Sequence, residues 1–179
     1  MSDDKQTLYM MIGVPLSGKT FLTRDIINKE FYNPAELPVP FTVISSDNII
    51  EAVAKQCGLT YNEIFESMIK VTPALMAQQA EAAVRRGVSV IWDQTNLTVK
   101  SRAKKLKHFP PFLYRRIAMV SETPTPACLN ARRIERGSDK CIPEDVVFKM
   151  ITEYEPPKLE EGFEKIYHFV RGVAVACEA

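Results

Sequence analysis

Residues that bind transition metals are scarce in this sequence. Its 179 residues include two histidines and four cysteines. The cysteines (Cys57, Cys128, Cys141 and Cys177) lie far apart, and no pair has the C-x-x-C spacing that is typical of zinc sites. We therefore expect no zinc site, and we interpret the cysteines as free thiols in a reducing compartment.

An excess of charge of one sign and a long apolar run are also absent. Lys and Arg total 23 against 22 Asp and Glu, so the net charge of +1 excludes a basic nucleic-acid coat or an acidic disordered tail as a description of the whole chain. No run approaches the roughly 18 apolar residues of a membrane span. The first residues, Met1–Lys5, are acidic where a signal peptide would be basic and then apolar. We expect a cytoplasmic protein without a membrane partner.

The sequence does have a hydrophobic fraction of 46%, which is enough for one domain with its own core. Four short apolar runs without strict alternation predict strands that are covered on both faces. They are Leu8–Ile12, Phe41–Ser45, Val88–Trp92 and Arg116–Val120, and a fifth, weaker run is Lys165–Val170. Helical patterns lie between these runs, so we predict an α/β fold with βαβ units and a parallel sheet.

Helical patterns connect the predicted strands. Helices are predicted at Gly18–Glu30, around Ile49–Cys57, at Thr123–Glu135 and at Pro143–Tyr154, and another has Val99, Ala103 and Leu106 on its apolar face. Because Pro73 lacks a backbone donor, we predict two helices within Thr60–Arg86, the second capped by Thr72. Tyr32–Pro40 is predicted to be a loop and residues 172–179 a flexible tail of a single domain, 1–179.

A phosphate-binding loop follows the first predicted strand. The segment GVPLSGKT, from Gly13 to Thr20, matches the pattern G-x-x-x-x-G-K-[ST]. Glycines let backbone N–H groups wrap a phosphate, Lys19 can reach the β- and γ-phosphates, and the Thr20 hydroxyl can ligate Mg²⁺. The helix that begins here adds its positive end to the anion site. The predicted nucleotide-binding residues are Gly13, Pro15, Ser17, Gly18, Lys19, Thr20 and Phe21.

Polar residues also follow the second and third predicted strands, where open parallel sheets bind ligands. Asp47 can take the proton of an acceptor hydroxyl, or it can simply cap the next helix. Asp93 can hold Mg²⁺ or its water opposite Thr20, or it can form an Asx turn. Thr95 and Asn96 offer neutral donors and acceptors that suit a substrate phosphate.

Two groups of basic residues have alternative interpretations. Arg132 and Arg136 share a helical face beside a polar loop, so they can close over a nucleotide as a lid of about residues 132–142, or they can form a solvated helix end. Residues 94–121 carry seven positive charges and no Asp or Glu, which leaves −6 on the remainder. This segment is either a local footprint for a polyanion or a set of solvated lysines.

These motifs, in this order, resemble the kinase domain of the phage-type polynucleotide 5′-hydroxyl kinases, from the phosphate loop to about Tyr154. The likeness rests on Asp47 after the second strand and on the D-x-T-N sequence at Asp93–Asn96. It also rests on Arg102, six residues beyond Asn96, and on the R-x-x-x-R-G sequence at Arg132–Gly137.

The resemblance implies a P-loop kinase fold of the adenylate-kinase type, with three layers, a five-stranded parallel sheet and an arginine-bearing lid. It implies ATP and Mg²⁺ as cofactors, the metal being held by Thr20 and Asp93. The implied catalytic residues are Asp47 as general base, Lys19, Arg132 and Arg136, and the implied substrate-binding residues are Asp47, Thr95, Asn96 and Arg102.

The acceptor is where the sequence departs from that family. Ser46 and Ile50 stand where the phage-type pattern has arginines. We interpret the chain as an ATP-dependent kinase for the 5′-hydroxyl end of RNA or DNA. The alternatives are a P-loop kinase for a small metabolite or nucleoside, and a nucleotide-binding switch without acceptor chemistry.

Overall fold

A computed structural model describes residues 5–28, 40–136, 142–170 and 173–178 of the chain. Its strands are β1 (Gln6–Ile12), β2 (Phe41–Ser45), β3 (Ser89–Asp93), β4 (Tyr114–Ser121), β5 (Lys165–Val170) and β6 (Val173–Glu178). Its helices are α1 (Lys19–Ile26), α2 (Ser46–Cys57), α3 (Tyr61–Arg86), α4 (Val99–Leu106), α5 (Pro126–Arg136) and α6 (Glu144–Thr152). The predicted loop at Tyr32–Pro40 lies outside the described residues except for its last one.

Five parallel strands form the sheet in the order β2-β3-β1-β4-β5, which confirms the predicted α/β fold and all five predicted strands. A sixth strand, β6, pairs antiparallel with β5 at the edge. The prediction of a flexible tail over residues 172–179 is therefore wrong for Val173–Glu178. Pairing with β5 satisfies backbone groups that an unpaired tail would leave to water.

Helices cover the sheet on both faces. Leu8 and Met10 of β1 pack with α3 and α4, whereas Tyr9 and Met11 pack with α1 on the opposite face. Successive strand residues point to opposite faces, so burial on both sides explains why the apolar run of β1 does not alternate. Within the described ranges, no helix has the length and apolarity that crossing a membrane requires.

The longest helix, α3, is continuous over 26 residues, so the prediction of two helices with Thr72 as an N-cap is wrong. Pro73 lies inside it and is exposed. Water can therefore bond to the Ile69 carbonyl, which the proline leaves without an N–H partner. The Thr72 hydroxyl donates to the Met68 carbonyl at 2.7 Å instead of capping a new helix.

The inward face of α4 also differs from the prediction. Leu106 is buried as expected, but Val99 is 39% exposed and Ala103 is exposed. Arg102 takes the inward position and is fully buried. A hydrophobic pattern alone does not find this face, because burial of a guanidinium depends on partners elsewhere in the chain.

Replacing Pro73 with Ala tests the continuity of α3. We expect P73A to raise the free energy of unfolding by about 1–3 kcal/mol, because alanine restores the missing N–H and removes the ring clash. Urea denaturation followed by circular dichroism measures the change. The matched control is P143A, because Pro143 is the N-cap of α6 and needs no intrahelical N–H partner. If P73A is no more stable than P143A, the helix is interrupted at Pro73.

Candidate functional site

The candidate site lies at the carboxyl edge of the sheet, where three strands end side by side. β3 pairs with β1 on one side and with β2 on the other. Ser45, the last residue of β2, is in register with Asp93, the last residue of β3. The phosphate loop follows β1 directly, so the loop and the two carboxylate-bearing segments share one edge.

The phosphate loop is held in a conformation that requires glycine. Gly13 has a φ of +153°, and a Cβ there would lie 2.8 Å from Ser17 Oγ and 3.1 Å from the Ser121 carbonyl oxygen. Gly18, with a φ of +101°, is the N-cap of α1. The Ser121 hydroxyl donates to the Ser17 carbonyl at 2.7 Å, which fixes the loop to the end of β4. Sequence reasoning missed Ser121, although a polar residue at the end of a parallel strand is a usable signal.

The loop residues fit a bound nucleotide phosphate. Lys19 Nζ donates to the carbonyl oxygens of Gly13 and Val14 at 3.0 and 2.7 Å, so its ammonium group lies inside the loop. Ser17 Oγ is buried and has no hydrogen-bond partner among the described residues. An unpaired buried hydroxyl in a phosphate loop is accounted for if an anionic ligand bonds to it.

The remaining predicted nucleotide contacts occupy different environments. Pro15 is buried, whereas Thr20 is exposed at the start of α1. Phe21 is 71% exposed, so its ring lies outside the protein core.

The loop after β3 is bonded to the phosphate loop. The Thr95 carbonyl accepts from the Gly13 N–H at 3.0 Å. Asn96 has a φ of +49° and is 1% exposed. Its Nδ2 donates to the Met11 carbonyl at 2.6 Å, and its Oδ1 accepts from Lys105 Nζ. Asn96 is thus used inside the protein, and the predicted substrate contact by its side chain does not fit.

Arg102 has a structural role as well. The prediction that it binds substrate is therefore corrected. Its side chain is 0% exposed and forms an ion pair with Glu161, at 2.7 Å from Nε. Nη1 donates to the carbonyls of Asn96, Leu97 and Glu155, all within 3.1 Å. A buried guanidinium needs such partners for its donors. These bonds hold the connection between β3 and α4 in place.

Lys105 continues this internal network. Its Nζ also donates to Ser101 Oγ at 3.0 Å. Burial, together with the nearby positive charge of Arg102, lowers the pKa of Lys105 to about 8. The ammonium group therefore forms its hydrogen bonds with the loop around Asn96 and the start of α4.

Asp93 lies within electrostatic reach of both Asp47 and Lys19. Burial raises the pKa of Asp93 above its ordinary value, Lys19 opposes that rise, and the negative charge of Asp47 adds to it. The N-cap of α2 is Ser45, whose Oγ accepts from the Asn48 N–H at 3.4 Å. Asp47 is therefore not the cap that the alternative interpretation made it.

The donor set at this edge suits a hard divalent cation. The Thr20 hydroxyl and the Asp93 carboxylate are oxygen ligands of the kind that Mg²⁺ takes, together with water and phosphate oxygens. A second carboxylate disfavours the charged form of a partly buried carboxylate. A nearby cation stabilises that charged form. Among the described residues, no three His, Cys, Asp or Glu side chains converge as a metal cage. Mg²⁺ would therefore need oxygens of the nucleotide as well.

Only part of the predicted lid lies in the described structure. Arg132 Nη1 donates to the Leu16 carbonyl at 2.6 Å, so α5 contacts the phosphate loop directly. Arg133 and Glu144 form an ion pair at 3.7 Å that joins α5 to α6. Arg136 ends α5, but its side chain and residues 137–141 lie outside what is described.

The basic segment 94–121 is less of a surface feature than its sequence indicates. Arg102 and Lys105 belong to the internal network, and Arg116 donates to the backbone carbonyls of Phe109 and Leu106. The exposed cations of this segment are Lys100, Lys104, Lys107 and Arg115. Either interpretation of the segment, a footprint for a polyanion or a set of solvated side chains, therefore concerns at most these four.

Comparison with known proteins agrees with this geometry. A family described as an AAA domain matches residues 8–157 of the chain. A chain from the PezAT chromosomal toxin–antitoxin system of Streptococcus pneumoniae has a similar fold, with a TM-score of 0.70 and 17% identity. The match covers 98% of this chain and 72% of that one.

Two further structures show the same architecture. Chaetomium thermophilum Kti12 in complex with ADP-AlF3 has a TM-score of 0.64 and 16% identity, over 92% of this chain and 89% of that one. A chain of the Pnkp1/Rnl/Hen1 RNA repair complex has a TM-score of 0.60 and 19% identity, over 83% of this chain and 44% of that one. Together these likenesses show the fold, an α/β fold with a parallel sheet that helices cover on both faces.

Replacing Gly13 with Ala tests the conformation of the phosphate loop. We expect G13A to destabilise the protein by roughly 3 kcal/mol and to abolish the ATP-induced rise in melting temperature, because the new Cβ meets Ser17 and the backbone is strained. The control is G87A, where φ is +60° and nothing lies within 4 Å of a Cβ. It should cost about 1–2 kcal/mol and keep the ATP response. Equal effects of the two variants would contradict the conformation described for the loop.

Replacing Asp93 with Asn tests the electrostatics of the carboxylate pair. Because burial raises the pKa of Asp93 above its ordinary 3.8, the folded state binds more protons than the unfolded state just above that pH. The free energy of unfolding therefore falls as pH rises through this range, and the full penalty applies at pH 7. At pH 7 we expect D93N to have a free energy of unfolding about 1 kcal/mol higher than that of the wild type, and to melt about 2–4 °C higher.

Calorimetry at several pH values checks this expectation. The gain in D93N should shrink as pH falls towards 3.8, while Mg²⁺ and ATP together should stabilise the wild type more than the variant. The matched control is D25N, since Asp25 is exposed on α1. A D93N gain that is independent of pH would show that the carboxylate is not the cause.

Proposed function

The chain belongs to the AAA domain family, and from this premise we propose that it is an ATP-dependent kinase that transfers the γ-phosphate to the 5′-hydroxyl of a nucleic acid. One observation carries the proposal: β3 pairs with both β1 and β2, so the phosphate loop after β1, Asp47 in the first turn of α2 and Asp93 at the end of β3 follow neighbouring parallel strands. A candidate base and a phosphate-binding lysine therefore belong to the same edge of the sheet.

The proposed reaction is an in-line displacement at the γ-phosphorus. Asp47 accepts the proton of the acceptor hydroxyl, whose oxygen bonds to phosphorus as the bond to the β,γ-bridging oxygen breaks. Lys19 and the N–H groups of the phosphate loop hold the leaving ADP. The transferred group passes between the loop and the carboxylate.

In this proposal, a metal ion and two arginines supply further positive charge at the phosphates. Thr20 and Asp93 would hold Mg²⁺, which neutralises phosphate charge when it is bound. Arg132, on α5, is bonded to the loop carbonyl of Leu16, so its guanidinium lies beside the phosphate loop. With Arg136 it would stabilise charge on the transferring group, as arginines do in other phosphoryl transfers.

Nucleic acid as the acceptor is supported by the family resemblance and by the likeness to a chain of an RNA repair complex. A small metabolite or nucleoside is the second candidate, and a specific observation favours it. Ile50, where the phage-type pattern has an arginine, is 0% exposed in the core between α2 and α3. No cation from that position faces the acceptor.

The direct test is phosphoryl transfer from radiolabelled ATP to 5′-hydroxyl RNA, 5′-hydroxyl DNA and nucleosides in parallel. We expect D47N to lower kcat by about 10²–10⁴ with the preferred acceptor, because the carboxamide cannot accept the proton. The matched control is D145N, since Asp145 is also in the first turn of a helix and is exposed. It should keep normal turnover.

The outcomes separate the three functions. Transfer to oligonucleotides with binding that weakens steeply in salt supports the first proposal. Transfer to nucleosides alone, without that salt dependence, supports the second. Nucleotide binding without transfer to any acceptor supports a switch, and near-normal turnover of D47N contradicts Asp47 as the base.

A further inference from the structure

Tyr61 contacts the proposed base, although no motif in the sequence points to it. Its hydroxyl donates to Asp47 Oδ1 at 2.9 Å. Asp47 lies in the first turn of α2, and Tyr61 is the first residue of α3. The side chain that touches the candidate base therefore comes from a second helix, 14 residues further along the chain.

The position of Tyr61 is fixed from the α2 side by a tight turn. Gly58 ends α2 with a φ of +68°, and the Leu59 N–H donates to the Ala54 carbonyl at 2.9 Å. A residue in the left-handed region at the end of a helix reverses the chain within a few residues. The start of α3 is thus set relative to α2.

On the α3 side, a capping box fixes the same turn. The Thr60 N–H donates to Glu63 Oε2 at 2.7 Å, and the Glu63 N–H donates back to Thr60 Oγ1 at 3.4 Å. Such reciprocal bonds define where a helix begins. Tyr61 follows the N-cap immediately, so its backbone has little freedom.

The ring of Tyr61 is held by apolar contacts. It packs against the small core between α2 and α3 that includes Ile50, Ala54 and Ile64. Its centroid is 5.5 Å from that of Phe65, at a tilt of 34°. With the ring fixed, the hydroxyl offers one donor direction to the carboxylate, which orients Asp47.

We propose that Tyr61 is a positioning residue for phosphoryl transfer, which holds the Asp47 carboxylate in the direction from which it accepts the acceptor proton. This inference rests on the proposed role of Asp47 as base. A phenol is neutral, so it orients the carboxylate without a full positive charge beside it. Small errors in the placement of a catalytic group lower rates strongly, so loss of the hydroxyl should be visible in kcat.

The test is a double-mutant cycle with Y61F and D47N, measured as kcat and as KM for ATP with the preferred acceptor. Y61F keeps the ring and removes only the hydroxyl. We expect it to lower kcat about 10- to 100-fold, to leave KM for ATP unchanged, and to have no further effect in the D47N background. The melting temperature of each variant reports whether the fold is intact.

The matched control is Y114F. The Tyr114 hydroxyl is also hydrogen-bonded, to the Val88 carbonyl at 2.8 Å, but it lies at the opposite edge of the sheet, where β4 begins. Its loss should lower the melting temperature and leave kcat unchanged. A merely structural role of Tyr61 would give Y61F this same pattern.

Each outcome bears on one proposal. A kcat of Y61F equal to that of the wild type, when D47N is impaired, overturns the role of Tyr61 and leaves the proposed function intact. An equal loss of kcat from Y61F with and without Asp47 also overturns it, because the hydroxyl would then act independently of the carboxylate. Normal turnover of D47N instead overturns the base on which the inference rests.

Discussion

Parallel pairing of β3 between β1 and β2 is the constraint on which the candidate site depends. Parallel strands end at the same edge, so the phosphate loop after β1, Asp47 after β2 and Asp93 after β3 come together without any long excursion of the chain. The hydrogen bond from the Gly13 N–H to the Thr95 carbonyl then joins two of these ends directly. Displacement of β1 would separate the phosphate loop from both carboxylates.

The site also has a rigid support beneath it. Arg102 and Lys105 place two cations inside the protein, where Glu161, Asn96 and backbone carbonyls accept their hydrogen bonds. Buried charges are costly unless each donor finds a partner, and here the partners include Asn96 and Leu97 of the loop that follows β3. These cations therefore stabilise the loop geometry and contribute little to the surface field.

The opposite holds for Asp93, because its surroundings disfavour its negative charge. Burial and the charge of Asp47 both raise the pKa of Asp93, and Lys19 offsets only part of this. Strain of this kind is common where a ligand is bound, because the ligand supplies the missing charge. A nucleotide phosphate with a divalent cation fits that requirement, and the tyrosine bonded to Asp47 adds order without charge.

The sequence by itself determined the five parallel strands, the phosphate loop and the end of the sheet at which Asp47 and Asp93 lie, because these follow from local hydrophobic runs and from a motif of fixed spacing. Only the tertiary structure decided which polar side chains face that edge. Arg102 and Asn96 were predicted to meet substrate, yet they bond inward. Arg102's partner Glu161 is 59 residues away in sequence, so the prediction could not include it. Tyr61 was not predicted, since only the packing of α3 on α2 brings its hydroxyl to Asp47. Side-chain partners distant in sequence leave no local pattern to read.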